Sequence, residues 1–197
     1  MIVAASSRTL PGATLLAATL ALASPAHAAL PPAPAPVSAP ATPGVAPMVV
    51  TAEKQAAVEF AMVVALARST IAQQCQQLPE PTSSRAAAAL ASWRARNQAW
   101  VTPTMSFVNY MAGIDATDKA QFQREVTRLI GTYKARAVVL ARIELGADQA
   151  DAANCAIALA RFEDPTRDLA RSAHAPELQA IRAYIEQLTT QGRDAKR

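Results

Sequence analysis

Two tryptophans and a polar pair occupy one short stretch of the chain, residues 92–100, which reads SWRARNQAW. On a helix that turns about 100° per residue, Trp93, Asn97 and Trp100 fall on one face, and Arg96 lies at its edge. Tryptophan and arginine are enriched at the energetic centres of protein interfaces. The four residues therefore form either a groove that accepts a partner or a polar bridge within a helical core.

A buried asparagine needs hydrogen-bond partners, because an unsatisfied buried amide costs about 1–3 kcal/mol. Asn97 could accept the N–H of a tryptophan indole, bond a backbone carbonyl at a helix end, or bond Tyr110 or Tyr133. Arg96 could extend along the apolar surface, stack on an indole ring or pair with a carboxylate from another helix. The residue types alone leave these alternatives open.

Residues that usually perform metal or catalytic chemistry are scarce. His174 is followed by Ala175-Pro176, which predicts a loop, and the other histidine lies in the N-terminal segment. One histidine and a cysteine pair that we expect to be oxidised do not supply the three or four ligands of a usual zinc site. The chain has neither a Gly-x-Ser-x-Gly nucleophile motif nor a glycine-rich phosphate loop. We expect no metal, no cofactor, no catalytic residues and no enzymatic activity, although two carboxylates on different helices could still form an active site.

Cys75 and Cys155 are the only cysteines. An even number of cysteines in an exported chain predicts one disulfide. The bridge would close a loop of about 80 residues, for which chain entropy gives about 4–5 kcal/mol of stabilisation. Two buried thiols are the alternative. Because a CxxC motif is absent, thiol–disulfide catalysis has little support.

Residues 1–28 have the features of a secretory signal peptide. Arg8 is the only charged residue among the first 52, and the apolar segment 13–23 follows it. Ala26 and Ala28 form a small-residue cleavage pattern, so we predict cleavage after Ala28. No cysteine lies near this point to receive a lipid anchor. We therefore expect a periplasmic or secreted protein.

The mature chain is weakly basic and has no segment that we interpret as a membrane span. The formal net charge is +4, and removal of Arg8 leaves a small, dispersed positive excess. Nucleic-acid-binding surfaces are more strongly basic and clustered, so we expect no nucleic-acid partner. The apolar run 56–67 contains Glu59 and is shorter than the roughly 20 residues that a transmembrane helix needs. We expect no transmembrane segment in the mature chain.

Residues 29–50 contain seven of the 14 prolines. Proline and alanine at this density do not build a packed core, so we predict an extended, polyproline-like linker. Such a segment is either a spacer that holds the domain away from another structure or a disordered leader without a partner.

From Thr51 onward, apolar residues recur at spacings of three and four, and proline or glycine separates the periodic segments. This pattern is typical of amphipathic helices, and no segment alternates with a period of two. We predict an all-α fold, a single bundle of four to five helices over 51–192, followed by a charged tail, 193–197. The predicted helices are 51–78, 83–113 with a kink or restart at Pro103, 115 or 117 to 145, 150–163 and 176–190, with a short turn at 166–172.

The layout of a signal peptide, two cysteines and Trp93-x-x-Arg96-Asn97 resembles uncharacterised small envelope proteins of Gram-negative bacteria. The resemblance implies no activity and transfers no site residue. Together, these features predict an exported, non-catalytic helical interaction module, such as an adaptor, an inhibitor or immunity-type protein, or a chaperone. Its partner would be another envelope or secreted protein. The alternatives are a structural or stress-related envelope protein and an enzyme with unrecognised carboxylate chemistry.

Overall fold

Five α-helices and two short 3₁₀ turns form the part of the chain that the computed structural model describes, residues 45–146 and 150–194. No strand occurs among these residues, and the predicted all-α bundle is confirmed. The predicted signal peptide, residues 29–44 of the linker and residues 195–197 lie outside the described residues. In chain order the elements are α1 (Ala52–Cys75), α2 (Thr82–Gly113), α3 (Lys119–Leu145), α4 (Ala152–Glu163), the 3₁₀ turns Pro165–Arg167 and Leu169–Arg171, and α5 (Ala175–Asp194).

Side chains that accept hydrogen bonds from free backbone N–H groups cap three of the helices. Thr51 caps α1, as its position in the sequence predicts. Asp151 caps α4, and Asp118 caps α3 by accepting the Gln121 N–H at 2.7 Å. The prediction that α3 begins at Asp115 or Thr117 is therefore slightly wrong.

Helix α2 is 32 residues long and continues through Pro103 without restarting. Proline removes one backbone donor from the helix interior, which usually breaks or bends it. Here the residues on both sides of Pro103 pack into the same bundle, since Trp93, Phe107 and Val108 are all buried. Tertiary packing thus offsets the local cost of the proline.

Helix α1 lies at the centre of the bundle and contacts the other four helices, most extensively α2 and α3. Helix α2 also packs against α4 and α5. Two apolar clusters fill the interior. One follows α1 over most of its length and includes Ile71, Trp93 and Phe162. The other contacts the first half of α1 and includes Val58 and Phe107.

By length and composition, α1 is the one described helix that could cross a membrane. A core helix of a bundle has the same properties, because it too is surrounded by apolar groups. Helix α1 also contains Arg68, which is 4% exposed and ion-paired with Glu144 of α3. Burial lowers the pKa of the Arg68 guanidinium, and Glu144 opposes this shift. These contacts support a core helix.

Cys75 and Cys155 form the predicted disulfide, with an S–S distance of 1.99 Å. The bridge joins the last residue of α1 to the first turn of α4. Both side chains are fully buried, and no free cysteine is found among the described residues.

The last six residues of the predicted linker are part of the bundle surface. The backbone N–H of Val45 donates to Gln191 Oε1 at 3.0 Å, and the Tyr110 hydroxyl donates to the Met48 carbonyl at 3.1 Å. Met48 and Val50 pack against the cluster around Phe107, because apolar side chains gain by leaving water. Residues within 45–50, which the sequence assigns to the linker, thus contact the bundle. At the other end of the chain, α5 extends to Asp194, past the predicted limit of the helical domain.

Candidate functional site

Asn97 is fully buried on α2, and both ends of its amide are hydrogen-bonded. Its Nδ2 donates to the Trp93 carbonyl at 2.9 Å and to Asp168 Oδ1 at 2.8 Å. Its Oδ1 accepts the backbone N–H of Leu169 at 2.8 Å. The acceptor is thus used by the backbone between α4 and α5, and Asn97 does not bond a tryptophan indole.

Arg96 contacts the same connection from α4 to α5. Its guanidinium binds both carboxylate oxygens of Asp168, with Nε–Oδ2 at 2.8 Å and Nη2–Oδ1 at 3.3 Å. It also donates to the Phe162 carbonyl and to Ser92 Oγ. Charge-assisted bidentate pairs of this kind are stronger than neutral hydrogen bonds. Arg96, Asn97 and Asp168 therefore form one polar cluster, the α2 bridge, which holds the connection against α2.

The two tryptophans have different surroundings. Trp93 is 2% exposed and belongs to the apolar core, and its indole Nε1 has no hydrogen-bond partner among the described residues. Trp100 is only partly buried, and the Arg182 guanidinium of α5 lies 5.9 Å from its ring centroid. Of the four residues singled out in the sequence, only Trp93 lines the surface groove between α1 and α2, so the structure does not bring all four into one groove.

An open groove of about 390 Å³ runs between α1 and α2 on the surface; we call it the α1–α2 groove. Its apolar lining includes Leu66 from α1 and Val101 from α2. Met105, at 39% exposure, lines it as well. Polar residues stand among these groups at only a few positions. The full lining is Met62, Ala65, Leu66, Ser69, Trp93, Arg94, Gln98, Val101, Thr102 and Met105.

Arg94 and Ser69 provide the charge and one hydroxyl of this groove. Arg94 Nη2 donates to Ser69 Oγ at 3.1 Å, and Ser69 Oγ donates to the Ala65 carbonyl of its own helix at 3.0 Å. Because the hydroxyl proton is used within α1, the serine oxygen is free to accept from arginine. Arg94 forms no ion pair with a carboxylate among the described residues.

A second groove lies between α1 and α3 and contains His174. Phe60, Val63 and Val64 contribute apolar surface, and the cavity measures about 530 Å³. The ring centroids of His174 and Phe60 are 4.9 Å apart. Glu59 and Arg136 on the rim form an ion pair with each other. The carboxylate and the guanidinium of this groove therefore pair with each other, whereas Arg94 has no carboxylate partner among the described residues.

No group of three or more His, Cys, Asp or Glu side chains in residues 45–146 and 150–194 is placed to hold a metal ion.

The basic residues of α3 include Arg128, which pairs with Glu125 three positions earlier. Arg124 is exposed.

Sequence reasoning missed Asp168, Ser69 and Arg94. Asp168 follows Pro165 in a short polar segment, so its type and position suggest only a turn. Ser69 and Arg94 lie on the polar side of their helices and are 25 positions apart. No spacing rule relates residues on two different helices, and only their packing brings these two together.

Comparisons with protein-family models, with curated proteins and with solved structures found no match for this chain.

Proposed function

We propose that the protein is an exported, non-catalytic helical interaction module, and that its α1–α2 groove receives an apolar segment of another envelope or secreted protein. The observation that supports this proposal most directly is the groove itself, an apolar cavity of about 390 Å³ open to solvent. Grooves between helices commonly bind the apolar face of a partner helix.

The composition of the groove fits this role. Leu66, Val101 and Met105 provide apolar area, and Met side chains adapt their shape to different partners. Gln98 and Thr102 add hydrogen-bonding groups at the edge. A mostly apolar lining with a few fixed polar groups is the usual composition of a binding cleft.

The α2 bridge supports the groove from inside the fold. Asn97 and Arg96 use their donors on Asp168 and on backbone carbonyls, so they have little left to offer a partner. Trp93, one turn before Asn97, belongs both to the core and to the groove lining. We assign Arg96 and Asn97 to positioning α2 and the groove residues to binding.

Site-specific photo-cross-linking in the cells that export the protein tests the proposal. Benzoylphenylalanine at Gln98, which is exposed at the groove, should yield one cross-linked product of defined mass. The matched control is benzoylphenylalanine at Ala160, which is exposed on α4. The substitution Ala65→Tyr, which fills the groove, should abolish the product, while Ala160→Tyr should leave it unchanged.

The melting temperature and the blocked thiols of each variant establish that it folds. If Ala65→Tyr does not fold, Leu66→Ser removes an apolar contact without adding volume and is used instead. Equal products from positions 98 and 160, or no product from position 98, would contradict the proposal.

A further inference from the structure

The unpaired charge of Arg94 indicates what kind of segment the α1–α2 groove binds. We infer that the partner segment is an amphipathic helix with a carboxylate that pairs with Arg94 at the Ser69 end of the groove. This inference rests on the proposed function, and it specifies the chemistry of the partner at the same site.

Ser69 holds the Arg94 guanidinium beside the groove. The serine oxygen accepts only one of the guanidinium N–H groups, from Nη2, and no other hydrogen bond involving Nε or Nη1 of Arg94 is found among the described residues. A carboxylate takes two parallel N–H groups of a guanidinium. Arg94 is therefore oriented by one contact and retains donors for another.

Several arginines on the surface have a carboxylate partner. Arg85 binds Glu163, and Arg136, on the rim of the α1–α3 groove, binds Glu59. Arg94 lacks such a pair within the described part of the chain, and it lines the mostly apolar α1–α2 groove. A partner with complementary charge would supply the missing group.

Covering the groove makes this charge important for specificity. An apolar segment that fills the groove removes water from around Arg94, and a cation that loses water without gaining a partner is costly. An acidic side chain offsets that cost, whereas a lysine at the same place adds repulsion. Segments with a carboxylate should thus be selected over neutral or basic ones.

The groove also sets the length of the segment. Arg94 and Met105 stand at opposite ends of its α2 side, and 11 positions at 1.5 Å each span about 16 Å of helix. A partner helix of about three turns covers this distance. It would place apolar side chains at spacings of three and four against Leu66, Trp93 and Val101, with the acid near Arg94.

Selection from a random dodecapeptide display library tests the inference on the full mature protein. Peptides enriched by the wild type should contain Asp or Glu at one end of an apolar pattern with helical spacing. Arg94→Gln should weaken the best synthetic peptide about 10- to 100-fold, the range for a hydrogen-bonded charge. Arg124→Gln removes the same net charge from exposed α3 and should change affinity less than twofold.

Replacing the acid of that peptide by its amide provides the second half of a double-mutant cycle. The amide peptide should bind Arg94→Gln at least as tightly as it binds wild type, because neither complex has the ion pair and only wild type covers an unpaired cation. Affinity is followed by fluorescence of Trp93 in a Trp100→Phe background.

The outcomes separate the two proposals. If Ala65→Tyr abolishes peptide binding but Arg94→Gln and Arg124→Gln behave alike, the acidic partner is wrong and the groove remains. If no enriched peptide depends on Ala65, both the groove and the inference that rests on it are wrong. The inference is supported if Arg94→Gln weakens binding, Arg124→Gln does not, and the double-mutant cycle shows an interaction between Arg94 and the acid of the peptide.

Discussion

The side chains of Asn97 and Asp168 meet at 2.8 Å, Nδ2 to Oδ1, where the connection from α4 to α5 crosses α2. Asn97 also accepts the backbone N–H of Leu169, so one amide holds both a carboxylate and a backbone group of that connection. Arg96 neutralises the same carboxylate from one position earlier on α2. A buried amide within an apolar stripe is thus explained by a structural requirement of the fold.

The first prediction concerns this amide. Asn97→Leu should lower the free energy of unfolding by at least about 1–3 kcal/mol, because it leaves the Leu169 N–H buried without an acceptor. Urea unfolding followed by circular dichroism measures the change. Asn109→Leu, at an exposed position of the same helix, is the matched control and should stay within about 0.5 kcal/mol of wild type. Equal stabilities for the two variants would contradict a role for the bridge in the fold.

The second prediction concerns the disulfide between residues that are 80 positions apart. Replacing Cys75 and Cys155 together by serine should lower stability by about 4–5 kcal/mol if loop entropy in the unfolded chain dominates. The urea midpoint of the double variant, compared with the oxidised wild type, gives this value. Mass analysis after alkylation without reductant should find both wild-type thiols blocked. Two alkylated cysteines would show that the bridge does not form.

The third prediction concerns pH. Hydrogen bonding from Arg85 lowers the pKa of Glu163 below its ordinary value of 4.5. A carboxyl group whose pKa is lower in the folded state than in the unfolded state stabilises the fold at pH values above its unfolded-state pKa. This contribution disappears as the pH falls through the folded-state pKa. Wild type should therefore be more stable than Glu163→Gln at pH 7, and the difference should shrink below about pH 4.5.

The size of this pH effect should be small. The Arg85 and Glu163 side chains are 42% and 46% exposed, and exposed ion pairs contribute at most about 1 kcal/mol. Glu177→Gln, on α5, controls for the loss of one carboxylate elsewhere. Urea unfolding at several pH values gives the comparison. A difference between wild type and Glu163→Gln that grows as the pH falls would show that the sign is wrong.

The fourth prediction concerns export. If residues 1–28 are a signal peptide, the protein recovered from the periplasm or medium should begin at Ala29. N-terminal sequencing or intact mass determines the first residue. Replacing Ala26 and Ala28 by bulky residues should block processing and leave the precursor in the cell. Recovery of the intact chain with its original N-terminus would contradict both the cleavage site and the proposed location.

The helical architecture could be predicted from local patterns. Thr51 precedes an apolar-periodic segment and caps α1, and Gly146 ends α3 in the left-handed conformation, with φ of 70°. These signals act over a few residues, so they are readable in the sequence. The cysteine count, together with the expectation of export, likewise predicted the pairing of Cys75 with Cys155, since two cysteines allow only one intramolecular connectivity.

The sequence by itself therefore determined the fold class, the approximate helices, the cysteine pair and Asn97 as an unusual polar group. Only the tertiary structure decided which partners these groups have. Asp168 reaches Asn97 from 71 positions away, and Ser69 meets Arg94 across 25 positions. Helix periodicity states which side of one helix is apolar, but it contains no information about how two helices are rotated and shifted against each other. That packing places Trp93 in both the core and the groove, and leaves Arg94 at its rim without a carboxylate from the described chain.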